Sequence, residues 1–174
     1  MTERAAAPAA EADLADALNS WTAGVTLVTV ADGRDDVGAT VSAFCPVSDD
    51  PPLVAVSLLA GSYLAEVLGR VDAPATAFAV VLLTASQRVL SGRFAAAGRP
   101  GVRLLLGDVP WRRGPASGAL IVEGGLAALE CSPEQVGPAG DHLLVIARVT
   151  GVPYVSEAGE PLIRFRRRYL PAKL

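Results

Sequence analysis

Three groups of residues in this sequence have the types and spacing to act on a bound ligand. The first is the stretch at 38–44, GATVSAF, in which glycine and hydroxyl residues take alternate positions. The second is the chain's single histidine, His142, which follows Gly140 and Asp141. The third is the run RRRY at 166–169. The first would let a ligand approach the backbone, the second could orient it, and the third could hold a phosphate.

Each group also has an ordinary structural interpretation. Hydroxyl residues on a strand can form a solvated face, and a lone histidine can be a structural hydrogen-bonding residue. Asp141 could fix the tautomer of His142 or cap a turn, and we favour the turn. The arginines could grip a pyrophosphate or a 2′-phosphate while Tyr169 stacks on a ring, or they could be a solvated strand end.

The familiar short motifs are missing from the sequence. It contains no G-x-G-x-x-G, no P-loop, no H-E-x-x-H and no nucleophile elbow. Cys45 and Cys131 lie far apart with no partner at metal-ligand spacing, so we predict no metal site and interpret both as small buried residues of a reduced protein. Any dinucleotide chemistry must therefore use another architecture.

The elements that must position these groups are mostly short strands. Apolar residues at helical spacing predict an amphipathic helix from about Glu11 to Trp21, acting as a lid. A capping box, TASQ at 84–87, predicts the start of a helix that reaches about Ala96, and a shorter helix is predicted at 62–68. Strands are predicted at 24–30, 37–44, 53–59, 77–83, 120–131 and 143–152, with a turn at 49–52 and loops around one short strand at 98–118. This pattern favours a closed, mainly β barrel.

Length and composition limit the classes of protein. With 174 residues, the chain is predicted to be one domain at 11–174 after a disordered tail at 1–10. A net charge of −3 argues against nucleic-acid binding, and no apolar run approaches the ~20 residues of a membrane helix. Without a recognisable signal peptide we expect a cytoplasmic protein. A hydrophobic content of 51% predicts apolar surface that a homodimer would cover.

Several segments, in order along the chain, resemble the flavin reductase family. Residues 22–29, TAGVTLVT, are similar to the family's opening strand. Residues 38–44, with Val47, Ser48 and the prolines at 51–52, resemble its flavin-binding segment. Residues 118–120, 127–131 and 139–142 extend the resemblance, and residues 166–169 resemble the family's closing basic-aromatic segment.

The resemblance implies a homodimeric Greek-key split β-barrel with a few short helices. It implies hydride transfer from NADH or NADPH to FMN or FAD, with reduced flavin delivered to a separate monooxygenase. His142 would be the catalytic residue beside the nicotinamide. The binding residues that the resemblance implies are Gly38, Thr40, Val41, Ser42, Ala43, Phe44, Val47, Ser48, Ser57, Ser62, Val81, Leu82, Phe94, Arg166, Arg168 and Tyr169.

Some of these residues have alternative roles. Ser57 and Ser62 would receive the flavin phosphate, although Ser62 could be only a helix N-cap. Phe94 would close over the flavin or the dimer interface, or belong to the core.

The sequence also departs from the family pattern at three positions. Val81 stands where asparagine is common, Cys45 where threonine or serine is usual, and Arg167 where glycine is frequent. Two rival functions remain: a flavoenzyme of the same fold that retains its flavin and acts on an organic substrate, and a non-catalytic flavin-binding or scaffold dimer.

Overall fold

The structure is a computed structural model that describes residues 11–33, 35–70, 76–96 and 98–170. The predicted disordered tail at 1–10 and the last four residues of the predicted domain lie outside the described residues. The described helices are α1 (Glu11–Asn19), α2 (Tyr63–Leu68), α3 (Arg88–Ala95) and α4 (Val102–Leu105), with a 3-10 turn at Ala85–Gln87. None of them is long and apolar enough to cross a membrane.

Twelve described strands make the fold mainly β. They are β1 (Ala23–Gly24), β2 (Thr26–Asp32), β3 (Asp35–Val41), β4 (Phe44–Asp49), β5 (Pro52–Leu59), β6 (Phe78–Leu82), β7 (Trp111–Arg113), β8 (Leu120–Val122), β9 (Ala127–Ala139), β10 (His142–Val155), β11 (Ile163–Phe165) and β12 (Arg168–Tyr169). Seven of them form one antiparallel sheet in the order β3-β2-β6-β9-β10-β5-β4. Small sheets of β1-β11-β12 and β7-β8 lie beside it.

The central strands β2 and β6 are buried on both faces, which explains why their sequences are nearly continuous apolar runs. Leu27 and Val81 point into one core cluster, which is completed by α3, α4 and β8. Val28 and Val80 point into a second cluster, which is completed by α2, β5 and β10. The sheet is therefore covered on both sides at its centre, and free backbone edges remain at the outer strands β3 and β4.

Most predicted elements are present, with local differences. The capping box is confirmed, because the Thr84 N–H donates to the Gln87 side chain at 3.1 Å. The strand predicted at 120–131 is wrong, since the chain turns at Gly124, with φ 77°, between β8 and β9. The predicted loop region also contains α4, whose four residues are too few to show helical periodicity.

Along 37–44 the side chains alternate between the two faces of the strand only as far as Ser42. Val37 and Val41 face the core. The chain then bends between β3 and β4, so Ala43 faces outward while Phe44 begins a new strand and packs partly against the core. A bend between adjacent strands restarts the two-residue period, which the sequence pattern does not reveal.

A buried carboxylate ties β3 to the segment that carries α4 and β7. The Asp36 side chain is only 2% exposed, and it accepts hydrogen bonds from Arg103 Nε at 2.7 Å and from two nitrogens of Arg113. Burial alone would raise the pKa of Asp36, but the bonds from Arg113 and Arg103 outweigh it and hold the pKa below its ordinary value.

We expect Asp36→Asn to lower the free energy of unfolding by about 2 kcal/mol at neutral pH, because it leaves two guanidinium groups without their carboxylate. Since the folded-state pKa is depressed, this contribution is present above about pH 4 and is lost as the pH falls through the folded-state value. Urea unfolding of the variant and the wild type across that range measures the difference. Asp108→Asn, which removes an exposed partner of Arg93, is the matched control and should change stability little. Equal stability of the two variants at neutral pH would contradict the structural role of Asp36.

Candidate functional site

Two cavities lie along the connection between β3 and β4 and share part of their walls. The Trp21 cavity, of about 470 Å³, is lined by Trp21, Ser42, Phe44 and residues of β5 and β10. The Tyr169 cavity, of about 430 Å³, is lined by Thr40, Ser42, Phe94 and Tyr169. Both volumes suit a small-molecule ligand. The shared wall consists of Ser42, Arg164 and Arg167.

Gly38 allows α3 to pack closely against β3 beside these cavities. A Cβ atom at Gly38 would lie 3.2 Å from Phe94 Cε1 and 3.2 Å from Thr29 Cγ2, closer than ordinary packing allows. Phe94 is 1% exposed and belongs to the core, and it also contributes to the wall of the Tyr169 cavity. The Gly38 carbonyl, on the free edge of β3, accepts a hydrogen bond from Arg99 Nη2 at 2.7 Å.

The opposite wall is the hairpin between β11 and β12. Its two central residues have positive φ angles, 46° for Arg166 and 62° for Arg167, a conformation that glycine or asparagine normally supplies. The Arg166 N–H donates to the carbonyl of Asn19 at 2.9 Å, which fixes the hairpin against the end of α1. Arg164 Nη1 donates to Ser42 Oγ at 3.2 Å, which joins the hairpin to the β3–β4 connection.

Tyr169 is held in place by neighbours on α3. Its hydroxyl lies 2.7 Å from Ser91 Oγ, and the guanidinium carbon of Arg88 lies 5.6 Å from the ring centroid. Because both contacts restrain the ring at the edge of the Tyr169 cavity, it offers a fixed aromatic surface to a ligand.

The cavities are strongly positive although the whole chain carries a net charge of −3. Arg164 and Arg167 line both, Arg166 lines the Trp21 cavity, and Arg99 lines the Tyr169 cavity. No acidic residue appears in the described lining of either cavity. Charges of one sign in a cleft focus the electrostatic potential, so these cavities attract anionic ligands.

His142 lies at the start of β10, just after the two-residue turn that connects β9 to β10. Its side chain is on the same sheet face as Leu144, which lines the Trp21 cavity, and two residues span about 7 Å along a strand. His142 Nδ1 is 2.7 Å from Asp141 Oδ1. The hydrogen bond to His142 lowers the pKa of Asp141. We therefore correct the prediction that Asp141 caps the turn, because its side chain hydrogen-bonds to the imidazole of His142.

The other predicted residues are distributed unevenly. Thr40, Ser42, Ala43, Phe44 and Ser57 line the cavities together with Phe94, Arg166 and Tyr169.

Three predicted residues do not bring their side chains to the cavities. Val41 and Val81 are core residues, and Val81 is 0% exposed because β6 is paired on both sides and covered on both faces. Leu82 packs against the second core cluster. We therefore correct the prediction for these three residues, because their side chains lie in or against the core and not in the cavities.

Four more predicted residues lie outside the described lining of these two cavities. Ser62 caps α2, its hydroxyl accepting from the Ala65 N–H at 3.2 Å. Val47 and Ser48 are on β4, and Arg168 is exposed on β12.

Several lining residues were missed by the sequence analysis. Asn19 and Trp21 come from the end of α1 and the residues after it, Arg164 from β11, and Arg99 from a segment without periodicity. Arg164 lies two residues before the arginine run at 166–168, and this closeness in sequence is a signal that could have indicated it. Cys45 is also corrected, because it is exposed in the Trp21 cavity; Cys131 is buried, and burial raises the pKa of its thiol to about 12.

Comparison with known proteins identifies the family. The family model described as "Flavin reductase like domain" matches residues 18–173. The NADH-dependent FMN reductase AsuE2 of Streptomyces nodosus subsp. asukaensis is 37% identical over 153 residues, which cover 86% of this chain and 78% of that protein. The reductase component of 4-hydroxyphenylacetate 3-monooxygenase from Thermus thermophilus is 34% identical over 154 residues, covering 88% of this chain and 91% of that protein.

Solved structures agree with this assignment. The NADH:FAD oxidoreductase SgcE6 of Streptomyces globisporus, in complex with NAD and FAD fragments, has a TM-score of 0.81 and 29% identity, covering 92% of this chain and 91% of that chain. The flavin reductase PheA2 has a TM-score of 0.80 and 27% identity, covering 95% of this chain and 100% of that chain. This chain therefore belongs to the flavin reductase-like domain family.

The Asp141 contact predicts which nitrogen of neutral His142 carries hydrogen. Because Asp141 accepts from Nδ1, we expect the Nδ1–H tautomer, with Nε2 left as an acceptor. Nitrogen-15 NMR of the neutral imidazole resolves the tautomer directly, since the chain has one histidine.

Replacement of the carboxylate is the corresponding test. Asp141→Ala should shift the population toward Nε2–H, whereas Asp49→Ala, at the end of β4, should leave it unchanged. A wild-type spectrum dominated by the Nε2–H form would refute the assignment.

Proposed function

We propose that this member of the flavin reductase-like domain family is an NAD(P)H-dependent flavin oxidoreductase that supplies reduced FMN or FAD to a separate monooxygenase. The family assignment supports the reaction class. The names of its relatives support the partner, because one is the reductase component of 4-hydroxyphenylacetate 3-monooxygenase. NADH is the donor named for relatives, including AsuE2 and SgcE6.

One observation carries the proposal for the site. Five of the seven residues at 38–44, the stretch that resembles the flavin-binding segment, form with the arginine hairpin the walls of two adjoining positive cavities. An open-sided cleft with small residues on one wall and guanidinium groups on the other suits a flat ring that carries an anionic phosphate tail.

The residues present fit a flavin in three respects. Thr40 and Ser42 offer hydroxyl groups, the small side chain of Ala43 allows a close approach, and the outer edge of β3 has backbone groups that the sheet does not use. When bound, the flavin accepts at N5 the hydride that leaves C4 of the reduced nicotinamide. The task of the protein is then to hold both rings in contact and to exclude other geometries.

Individual residues have separate tasks in this arrangement. Ser42 receives a hydrogen bond from Arg164, so its hydroxyl hydrogen remains available for an acceptor on the ligand. Tyr169, fixed by Ser91 and Arg88, supports a ring in the second cavity. His142, fixed by Asp141, orients the nicotinamide from the far end of the same sheet face without exchanging a proton.

We further propose that two copies of the chain form a split-barrel homodimer through the outer face of β4, β5 and β10. Strand register places opposed residues on the same face. The outward rows are Cys45–Ala55–Ile146, Ser57–Leu144 and Leu59–His142. An antiparallel sheet face exposed to water usually carries polar residues, whereas most of these are small or apolar. Because Ser57, Leu144 and Cys45 also line the Trp21 cavity, a partner on this face would close it.

A direct assay tests the proposed activity. We expect the purified protein to oxidise NADH or NADPH only when FMN, FAD or riboflavin is added. A flavin that copurifies and turns over without added flavin would favour the retained-flavin rival. Absence of turnover with every pair, from a folded protein, would leave only the non-catalytic alternative.

The contribution of the β3–β4 connection can be measured with two serine variants. Ser42→Ala should raise the flavin dissociation constant about fivefold, which corresponds to the loss of one hydrogen bond of about 1 kcal/mol. Ser132→Ala, the same change on β9 at a position outside the described lining of both cavities, should have no effect in the same titration. Equal affinities for the two variants would remove Ser42 from the site.

Light scattering after size exclusion tests the dimer. Wild type should elute with twice the 17.8 kDa mass of the chain. Leu59→Glu, which places a charge on the proposed interface, should shift the population to monomer. Val89→Glu, at a position on α3 that is 68% exposed, should remain dimeric. A monomeric wild type, or a dimer insensitive to Leu59→Glu, would exclude this interface.

A further inference from the structure

We infer that the Arg166–Arg167 turn, together with the end of α1, forms a subsite for a phosphomonoester group of a nucleotide. The inference deepens the proposed function and rests on it for the identity of the nucleotide. A third cavity, of about 440 Å³, adjoins the other two and is lined by Asp16, Asn19, Ser20, Arg166 and Arg167. Arg167 lines all three cavities and stands where they meet.

The arginines at these cavities have no carboxylate partner among the described residues, as is also true of Arg88, Arg99, Arg112 and Arg168. Within the described residues, Arg70, Arg93, Arg103, Arg113 and Arg148 each pair with a carboxylate. No such pair involves Arg164, Arg166 or Arg167 in the same part of the chain. The Arg166 guanidinium lies 5.1 Å from the Phe165 ring centroid, and Arg167 Nε is 3.4 Å from Asn19 Oδ1. Three like charges facing shared cavities are unfavourable unless an anion lies between them.

The backbone of the turn points to the same conclusion. Residues with a Cβ atom adopt positive φ at a conformational cost, and two consecutive arginines do so here. Glycine would meet the geometry of the turn without that cost, but it would supply no charge. Strained residues of this kind cluster at ligand sites, where their side chains have a task that the preferred residue cannot perform.

The chemistry of the turn selects a class of ligand. A phosphomonoester carries nearly two charges and three terminal oxygens, which match several guanidinium forks better than the singly charged phosphates of a pyrophosphate do. In the described lining of the third cavity, Asp16 is the one residue that would repel a phosphate, and two arginines there would attract it. Among the proposed reactants, NADPH carries such a group as its 2′-phosphate and FMN as its 5′-phosphate. NADH and FAD carry none.

Binding measurements without turnover test the subsite independently of the enzyme activity. We expect 2′-AMP to bind at least about tenfold more tightly than adenosine if the donor phosphate occupies the subsite, or FMN to exceed riboflavin similarly if the flavin phosphate does. Arg166→Gln and Arg167→Gly should each reduce that preference about tenfold. Arg112→Gln, on the exposed strand β7, is the control and should preserve it.

The outcomes separate the inference from the proposed function. Loss of the 2′-AMP preference alone assigns the subsite to NADPH, and loss of the FMN preference alone assigns it to FMN. If wild type shows neither preference, or if both variants retain it, the subsite is refuted even when the protein reduces flavin. The protein could show no turnover and still bind the phosphorylated ligand more tightly in a way that depends on Arg166 and Arg167. That result would support the subsite and reject the proposed activity. Thermal melting checks folding, and Arg167→Gly should melt no lower than wild type because glycine suits the positive φ.

Discussion

The burial of β2 and β6 on both faces constrains where this molecule can bind a ligand. Each central strand has hydrogen-bonded neighbours on both sides and a core cluster above and below, so neither its backbone nor its side chains can meet a ligand. The outer strands β3 and β4, in contrast, each have one edge with no neighbouring strand in the large sheet. The β3–β4 connection, where the two outer strands succeed each other in sequence, is therefore the natural place for polar recognition. Arg99 already binds one of these free carbonyls, that of Gly38.

Electrostatics adds a second constraint to the same region. A chain with a net charge of −3 directs four arginines to two adjoining cavities, while five of its described acidic residues pair elsewhere with other arginines. Asp36, for example, neutralises Arg103 and Arg113 on the far side of β3. The positive potential at the cavities thus results from which arginines lack a partner, and not from an excess of basic residues in the chain.

The sequence allowed prediction of local features and of the residues closest to them. Alternation and turn chemistry predicted most strands, and TASQ predicted the capping box, since these depend on near neighbours. The convergence of Asn19, Arg99 and Arg164 on one site could not be predicted, because it depends on contacts between elements far apart in sequence. Val81 shows a limit of the family resemblance, which implied a flavin-binding residue at a position that lies inside the core. The bend after Ser42 likewise changed which side chains face outward.

The two walls of the site differ in how firmly the fold holds them. The wall formed by β3, β5 and β10 belongs to the large sheet, whose side chains are fixed by two cores. The facing wall is the β11–β12 hairpin, in which Arg166 bonds to the Asn19 carbonyl at the end of α1 and Arg164 bonds to Ser42 in the β3–β4 connection. α1 itself exposes Leu14, Leu18 and the neighbouring Trp21, so little apolar burial secures it. A ligand that bridges Ser42 and the turn would link the firm wall to the weakly secured one. Its binding should therefore order α1 and the hairpin together while leaving the sheet unchanged.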